Sequence, residues 1–414
     1  MGVRPGYKQT EVGIIPKDWE VRQLGELATF VTSGSRGWAQ FYAENGAVFI
    51  RSQNVRDSRL VFEDIRYVAP PPGAEGNRTK VLFNDVLITI TGNSVGNVAV
   101  VAHQFEQAYI SQHVGLVRLR DPAAGPYICR YLSPNSPGNP QILASQSGQS
   151  KPGLNLQNLR DFWIAVPPTT KESVAIAEAL SDVDGLLAAL DRLIAKKRDL
   201  KQATMQQLLT GQTRLPGFHG AWEVKRLGDV VDTDPENLGS DTPTNFSFNY
   251  IALEDVDHGF LQSYSEQVFA NAPSRARRKL RTNDVLVSTV RPNLQSHLLF
   301  NGKMGDWVCS TGFCVVRCRA GVTSPGFVFF HLFAELVSGQ IETLLTGSNY
   351  PAINSGDVRN LQIPFPDFVE QTAIAEVLSD MDAELAALAQ RREKTRLLKQ
   401  AMMQELLTGR TRLI

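Results

Sequence analysis

Residues 176–215 read IAEALSDVDGLLAALDRLIAKKRDLKQATMQQLLTGQTRL, and residues 374–413 read IAEVLSDMDAELAALAQRREKTRLLKQAMMQELLTGRTRL. Identity at 26 of 40 positions exceeds what shared helical composition produces, so this is an internal duplication. Ile176, Leu180, Val183, Leu187, Leu190 and Ile194 recur at alternating spacings of four and three, which is a heptad seam. Ile374, Leu378, Met381, Leu385 and Leu388 repeat it. Such a seam demands an apolar partner, and the obvious one is the other copy, so the two helices are expected to zip together antiparallel as a coiled coil. Thr210-Gly211 and Thr408-Gly409 place glycine where helices stop, and prolines followed by Glu172 and Glu370 mark the starts. From Ile176 to Leu209 the helix would span roughly 50 Å at 1.5 Å per residue.

Outward from the helices the duplication continues, more loosely. Trp19-Glu20-Val21 returns as Trp222-Glu223-Val224, Asn84-Asp85-Val86-Leu87 as Asn283-Asp284-Val285-Leu286, Val117-Arg118 as Val316-Arg317, and Pro152-Gly153-Leu154-Asn155 as Pro351-Ala352-Ile353-Asn354. The last three pairs share one offset of 199 residues. Short β-branched runs bounded by Gly, Pro, Asn and Ser predict strands at Ala47–Ile50, Val86–Ile90 and Gly115–Leu119, with counterparts at Val285–Val290 and Phe313–Arg317. Helical turns are expected at Tyr127–Leu132 and Phe327–Leu345. The expected fold is α+β, with two globular domains related by a pseudo-twofold and separated by the helical pair. The expected boundaries are 1–172 and 216–369 for the domains, and 173–215 and 370–414 for the helical repeats. A chain of 414 residues suits two such domains.

No apolar run reaches the roughly 18 residues that span a bilayer, and the N-terminus lacks an apolar signal core, so a cytoplasmic location is expected. Cys129, Cys309, Cys314 and Cys318 form no CxxC pair and read as small buried residues, not as a zinc site or disulfide framework. With 42 basic and 42 acidic residues the formal net charge is zero, so any affinity for nucleic acid must come from local clusters. Lys197, Lys201, Arg392 and Lys399 make the seam polar beyond Ile194; they read either as a solvated stretch where the helices diverge or as a basic surface facing a partner.

Motifs of catalysis are missing from the sequence. It contains no GxxxxGK[ST] phosphate loop, no GxSxG elbow and no HExxH helix. Gly92-Asn93-Ser94-Val95-Gly96 reads as a turn, and Glu223-Val224-Lys225, although of the E-x-K form found in nucleases, belongs to the repeated tryptophan phrase. A non-catalytic protein is expected, without a cofactor or metal of its own.

Polar loops carry the remaining chemistry. Ser35, Arg36 and Trp38 combine a flexible turn with a cation and an aromatic ring, and Arg51, Gln53 and Asn54 are side chains whose geometry suits guanine and adenine edges. In the second copy the basic run Arg275, Arg277, Arg278 and Lys279 joins Arg291, Asn293 and Gln295; Asn93, Lys151 and Tyr350 complete the candidate DNA contacts. The basic run has no counterpart in the first copy, where Pro70-Pro71-Pro72-Gly73-Ala74-Glu75 occupies the neighbourhood.

Two diverged domains, each followed by a well-repeated helix, resemble the specificity subunit of type I restriction-modification systems. The matching phrases are Gly13-Ile14-Ile15-Pro16-Lys17-Asp18-Trp19-Glu20-Val21, the two Asn-Asp-Val-Leu runs, Ala175-Ile176-Ala177 and Ala373-Ile374-Ala375, Lys201-Gln202 and Lys399-Gln400, and the two Leu-Leu-Thr-Gly ends. The resemblance implies that each domain reads one half of a split, asymmetric site in double-stranded DNA. It also implies that the helices space the domains and dock two methyltransferase subunits, which bind S-adenosylmethionine and methylate adenine, and that restriction subunits with ATP-driven motors join the complex. The spacing suggests half-sites about one helical turn (~34 Å) apart. Two other readings stay open: a helical scaffold that does not touch DNA, and a fused restriction and methylation enzyme.

Overall fold

The computed structural model of the chain describes residues 4–56, 58–70, 73–146, 153–302, 304–346 and 351–413. It divides into two compact units, Met1–Asp191 with Arg391–Ile414, and Arg192–Gln390. The two long helices, Thr170–Leu209 and Phe368–Leu406, each contribute one half to each unit.

In the first unit a four-stranded antiparallel sheet runs in the order Val98–Val100, Val86–Thr89, Val114–Leu119, Ala28–Ser33. A second sheet runs Ala108–Ile110, Ala47–Ile50, Arg66–Val68, Tyr42–Ala43, with its first pair parallel. The second unit repeats the first sheet as Leu298–Leu299, Val285–Ser288, Phe313–Cys318, Val231–Thr233. Its other sheet keeps the parallel pair, Ser247–Ile251 beside Trp307–Ser310, but adds the strand Ala276–Leu280. In the first unit the corresponding segment is the short helix Ala74–Thr79. The basic run is therefore a strand laid along a sheet edge.

The repeated phrases are explained by what they hold. Asn84 and Asn283 adopt left-handed backbone, at φ +64° and +72°, a conformation asparagine tolerates better than most residues. The next residue in each copy is a buried carboxylate gripped by the repeated arginine. Arg118 donates from Nε and Nη2 to the two oxygens of Asp85 at 3.0 and 2.8 Å, and Arg317 does the same to Asp284 at 2.8 and 2.7 Å. This forked, charge-assisted geometry ties two central strands of the sheet together. Asn155 and Asn354 cap the short helices Leu156–Asp161 and Ser355–Asn360, accepting from backbone N–H groups at 2.9 and 2.8 Å.

Within each unit the helical halves run antiparallel. In the first, Glu172 pairs with Arg412, Asp184 with Lys399 and Asp191 with Arg392. In the second, Lys197 pairs with Glu384, Lys201 with Asp382 and Arg214 with Glu370. The cations beyond Ile194 close ion pairs across the helix pair, so they are not a free basic surface and the helices do not diverge there, although the pairs themselves stay partly solvated. Ile176 and Leu180 enter the first core with Trp19, Met403 and Leu407, while Ile374 and Leu378 enter the second with Met205 and Leu209. Leu190 and Ile194 are buried; Val183, Leu187, Met381, Leu385 and Leu388 are partly covered. The seam residues, expected to pair the helices and to serve in partner docking, are thus buried or partly covered within the chain.

The expected helix ends are observed, with Gly211 and Gly409 left-handed at φ +72° and +67°. A Cβ at Gly409 would lie 2.6 Å from Pro16, so the close of the helix and the opening Pro-Lys-Asp-Trp phrase meet where only glycine fits. No single helix among the described residues is long and apolar enough to cross a membrane. The four cysteines are free, and burial pushes the thiols of Cys129, Cys314 and Cys318 up to about 12.

Candidate nucleic-acid interface

In the first unit, the end of strand Ala28–Ser33 and the turn after Ala47–Ile50 open onto one cleft of about 230 Å³. Ser35, Trp38, Arg51 and Gln53 all line it, with Gln112 and His113. The two loop clusters read separately in the sequence are therefore neighbours. Trp38, however, is only 3% exposed; it stacks on Phe49 at 5.5 Å between ring centres and leans on Tyr109 at 5.4 Å. It belongs to the core beneath the cleft, a correction to its expected role as a surface aromatic.

Asn54 is corrected for a similar reason. It is buried, accepts from Arg51 N at 3.0 Å and donates to Val61 O at 2.9 Å, so both ends of its amide shape the turn. Arg51 and Gln53 are presented differently. Arg51 Nη2 lies 3.0 Å from Asp64 Oδ2, and Gln53 Nε2 donates to the same oxygen at 2.5 Å. The hydrogen bond from Arg51, together with its charge, holds the exposed Asp64 carboxyl below its usual range. A carboxylate thus occupies the donors that a base edge or phosphate would take. Arg36 is exposed and closes no ion pair among the described residues, and Asn93 is exposed on its turn.

Two organising residues escaped the sequence reading. Arg78 donates to Thr32 Oγ1 at 2.6 Å, to Ser33 O at 2.7 Å and to Ser35 Oγ, fixing the rim of the cleft. Asp64 is the second. Both act on partners far away in sequence, so no local pattern marks them.

In the second unit the basic run is largely engaged within the protein. Arg278 pairs with Asp234 at 2.6 Å, and Arg277 lies over the Phe269 ring at 5.0 Å. Arg275 is exposed, and Lys279 is partly so. Arg291 and Asn293 are exposed and Gln295 partly exposed on the turn after Val285–Ser288. Lys151 and Tyr350 lie outside the described residues. Glu223-Val224-Lys225 forms part of a two-stranded ribbon with Gln362–Phe365, and Lys225 pairs with Glu223 at 3.0 Å. Among the described residues no group of three or more His, Cys, Asp or Glu side chains is placed to hold a metal.

What the two copies share is scaffold, and what differs is loop chemistry; the class this defines is a recognition protein with two separate readers. Residues 16–197 and 220–397 each match the model of the type I restriction modification DNA specificity domain, and the chain belongs to that family. It is 25% identical, over 98% of its length and 96% of the relative's, to a putative type I restriction enzyme MjaX specificity subunit of Methanocaldococcus jannaschii. The MjaVIII specificity subunit of the same organism is 22% identical over 96% and 94% of the two chains. The fold is shared with the S subunit of a type I restriction-modification system from M. genitalium, at TM-score 0.59 and 14% identity over 98% of each chain. It is also shared with a chain from a study of assembly and conformational transition in the type I R-M system, at TM-score 0.54 and 20% identity over 96% and 99% of the two chains. The protein is accordingly a non-catalytic specificity subunit that works with methyltransferase and restriction subunits on DNA.

Proposed function

We propose that the chain reads a bipartite, asymmetric sequence in double-stranded DNA, one half with each domain. The observation that carries this reading is the duplication itself: the gripped carboxylates and helix caps recur in both copies, whereas Arg36, Arg51, Gln53 and Asn93 have no equivalents among Arg275, Lys279, Arg291, Asn293 and Gln295. Similar scaffolds with different polar loops favour two different half-sites. In the first domain Arg51 and Gln53 exchange Asp64 for base edges on binding, and Arg36 meets phosphate.

Two modification subunits dock on the outward faces of the long helices, where Leu200 and Leu398, equivalent residues of the repeat, are 50% and 55% exposed. Equivalent surfaces favour two copies of one partner. S-adenosylmethionine and ATP belong to the partner subunits, and the location is cytoplasmic. Zero net charge fits a subunit whose partners supply much of the nonspecific phosphate affinity.

Co-expression with the modification subunit, followed by mapping of methylated bases across the host DNA, tests the proposal. A split motif that changes in one half when residues 1–172 are exchanged for those of a relative is the expected result. An assembled complex with no sequence motif would refute it.

A further inference from the structure

Eight non-glycine residues among those described have left-handed backbone: Ser58, Asn84, Asn135, Asp234, His258, Asn283, Arg291 and Gln295. Six are Ser, Asn, Asp or His, short polar or ring side chains, and Asn, Asp and His are the types most enriched there. Arg291, at φ +49°, and Gln295, at φ +53°, are the two exceptions, and they flank one turn.

The first domain has the same turn. Val95 N donates to Gly92 O at 3.2 Å and Leu294 N to Arg291 O at 2.9 Å, each pair 199 residues from its equivalent. The bridges at the turn's base, Thr91 to Gly153 and Val290 to Ala352, keep the same offset. In the first domain the two left-handed positions hold Gly92 and Gly96, at φ +98° and +87°. A Cβ at Gly96 would come within 2.9 Å of Ile142, so a side chain there would force that packing to shift. The scaffold therefore favours glycine at both places, and the second domain carries two long polar side chains there instead. Strained backbone retained at an exposed loop points to a use for the side chains.

The loop is also held still. Arg291 N donates to Pro351 O at 2.7 Å, Ser288 Oγ donates to Val290 O at 2.9 Å, and Ser288 N donates to the buried His297 Nδ1 at 3.1 Å. Residues set at the two ends of a turn so tied are preorganised for directional contacts.

Resting on the DNA-reading function proposed above, we propose that Arg291 and Gln295 are the specificity-determining pair of the second domain, Arg291 reading a guanine and Gln295 an adenine through their major-groove edges. Arginine matches guanine O6 and N7, and glutamine matches adenine N6 and N7, each as a two-point contact. The first domain, with glycine in the equivalent turn, reads instead through its Arg51 and Gln53 cleft. One scaffold thus presents its readers from different loops in its two copies.

The test uses the full chain co-expressed with its modification subunits, with methylated bases mapped across host DNA for Arg291→Gly, Gln295→Gly and Arg291→Lys. The second half-site is the one that changes when residues 216–369 are exchanged. Arg291→Gly should relax its guanine requirement, and Gln295→Gly its adenine requirement, by about tenfold or more. The first half-site should be unchanged, and the melting temperature should hold or rise because glycine relieves the backbone. Arg291→Lys keeps the charge and the strain but lacks the fork, and should relax the guanine position as Arg291→Gly does. Retention of the full wild-type target by the glycine variants would overturn the assignment. So would a fall in melting temperature with both half-sites degraded, which marks a structural loop. A wild-type complex without any sequence motif would overturn the DNA-reading function as well, which separates the two failures.

Discussion

Gly34 ends the strand that leads into the first domain's cleft, and a Cβ there would sit 2.2 Å from the backbone of Ser111. No rotamer relieves a clash with main chain, so Gly34→Ala must push two strands apart. Destabilisation by about 1–3 kcal/mol, typical of overpacking, is expected in thermal unfolding, together with loss of the first half-site in methylation maps. Asp64 offers a contrasting case on the same cleft. Asp64→Asn removes a negative charge from the cleft and weakens the side-chain hold on Arg51, whose Nη2 still donates to Asp64 O at 2.7 Å, so affinity for random duplex should rise while discrimination at the first half-site falls. Binding titrations on specific and random duplexes at several salt concentrations check this, and parallel movement of both affinities would count against it. The neighbouring Trp38 and Asn54 show why residue type alone is a poor guide at this scale. Aromatic and amide groups suit both DNA and a folded turn, and only their burial separates the two uses.

At the scale of elements, the gripped carboxylates and the ion pairs of the helices add to the hydrophobic cores of each unit. Asp284 is buried, and it holds Arg317 and accepts from Arg281 N at 2.8 Å. The hydrogen bonds that the Arg317 guanidinium donates to Asp284, with the opposing charge of that carboxylate, hold the guanidinium above its ordinary range. Asp284→Ala leaves the partly buried Arg317 with Glu236 as its one remaining carboxylate and Arg281 N–H without its acceptor, at an expected cost of about 1–3 kcal/mol to the second unit in denaturant unfolding. The interhelical pairs are more exposed and individually weaker. Lys201→Ala or Lys399→Ala should cost about 0.2–1 kcal/mol each, a loss that fades as salt is added. Their equivalence across the repeat, Lys201 on Asp382 and Lys399 on Asp184, indicates that they set the register of the helical pair more than its strength.

For the whole molecule, the two units should part company in acid. His297 and His331 both lie in the second unit, and burial lowers them to about 4 and about 3 from an ordinary 6.5. A histidine whose folded pKa is depressed binds more protons when unfolded. Its contribution is therefore intact above about pH 6.5 and is lost as the pH falls toward the folded values. The histidines of the first unit, His103 and His113, are exposed. Between pH 6.5 and 4, hydrogen exchange or limited proteolysis should show the second unit opening before the first, and His331→Leu should narrow the difference. Simultaneous opening of both units at every pH would contradict this assignment.

The sequence by itself determined the duplication, the two long helices and their glycine stops, the two central strands of the antiparallel sheet repeated in both units and, through the ordered phrases, the family. Those features rest on short-range physics: helical and strand periodicity, left-handed asparagine and glycine, and caps three residues from their targets. Only the tertiary structure decided which polar residues face outward. The partners of Arg118, Lys201 and Arg278 lie 33, 181 and 44 residues away, and nothing in the local pattern names them. The same holds for the turn of the second domain. Arg291 and Gln295 are legible as polar loop residues, but their left-handed backbone, and hence the case for their role, exists only once the strands on either side have closed the loop.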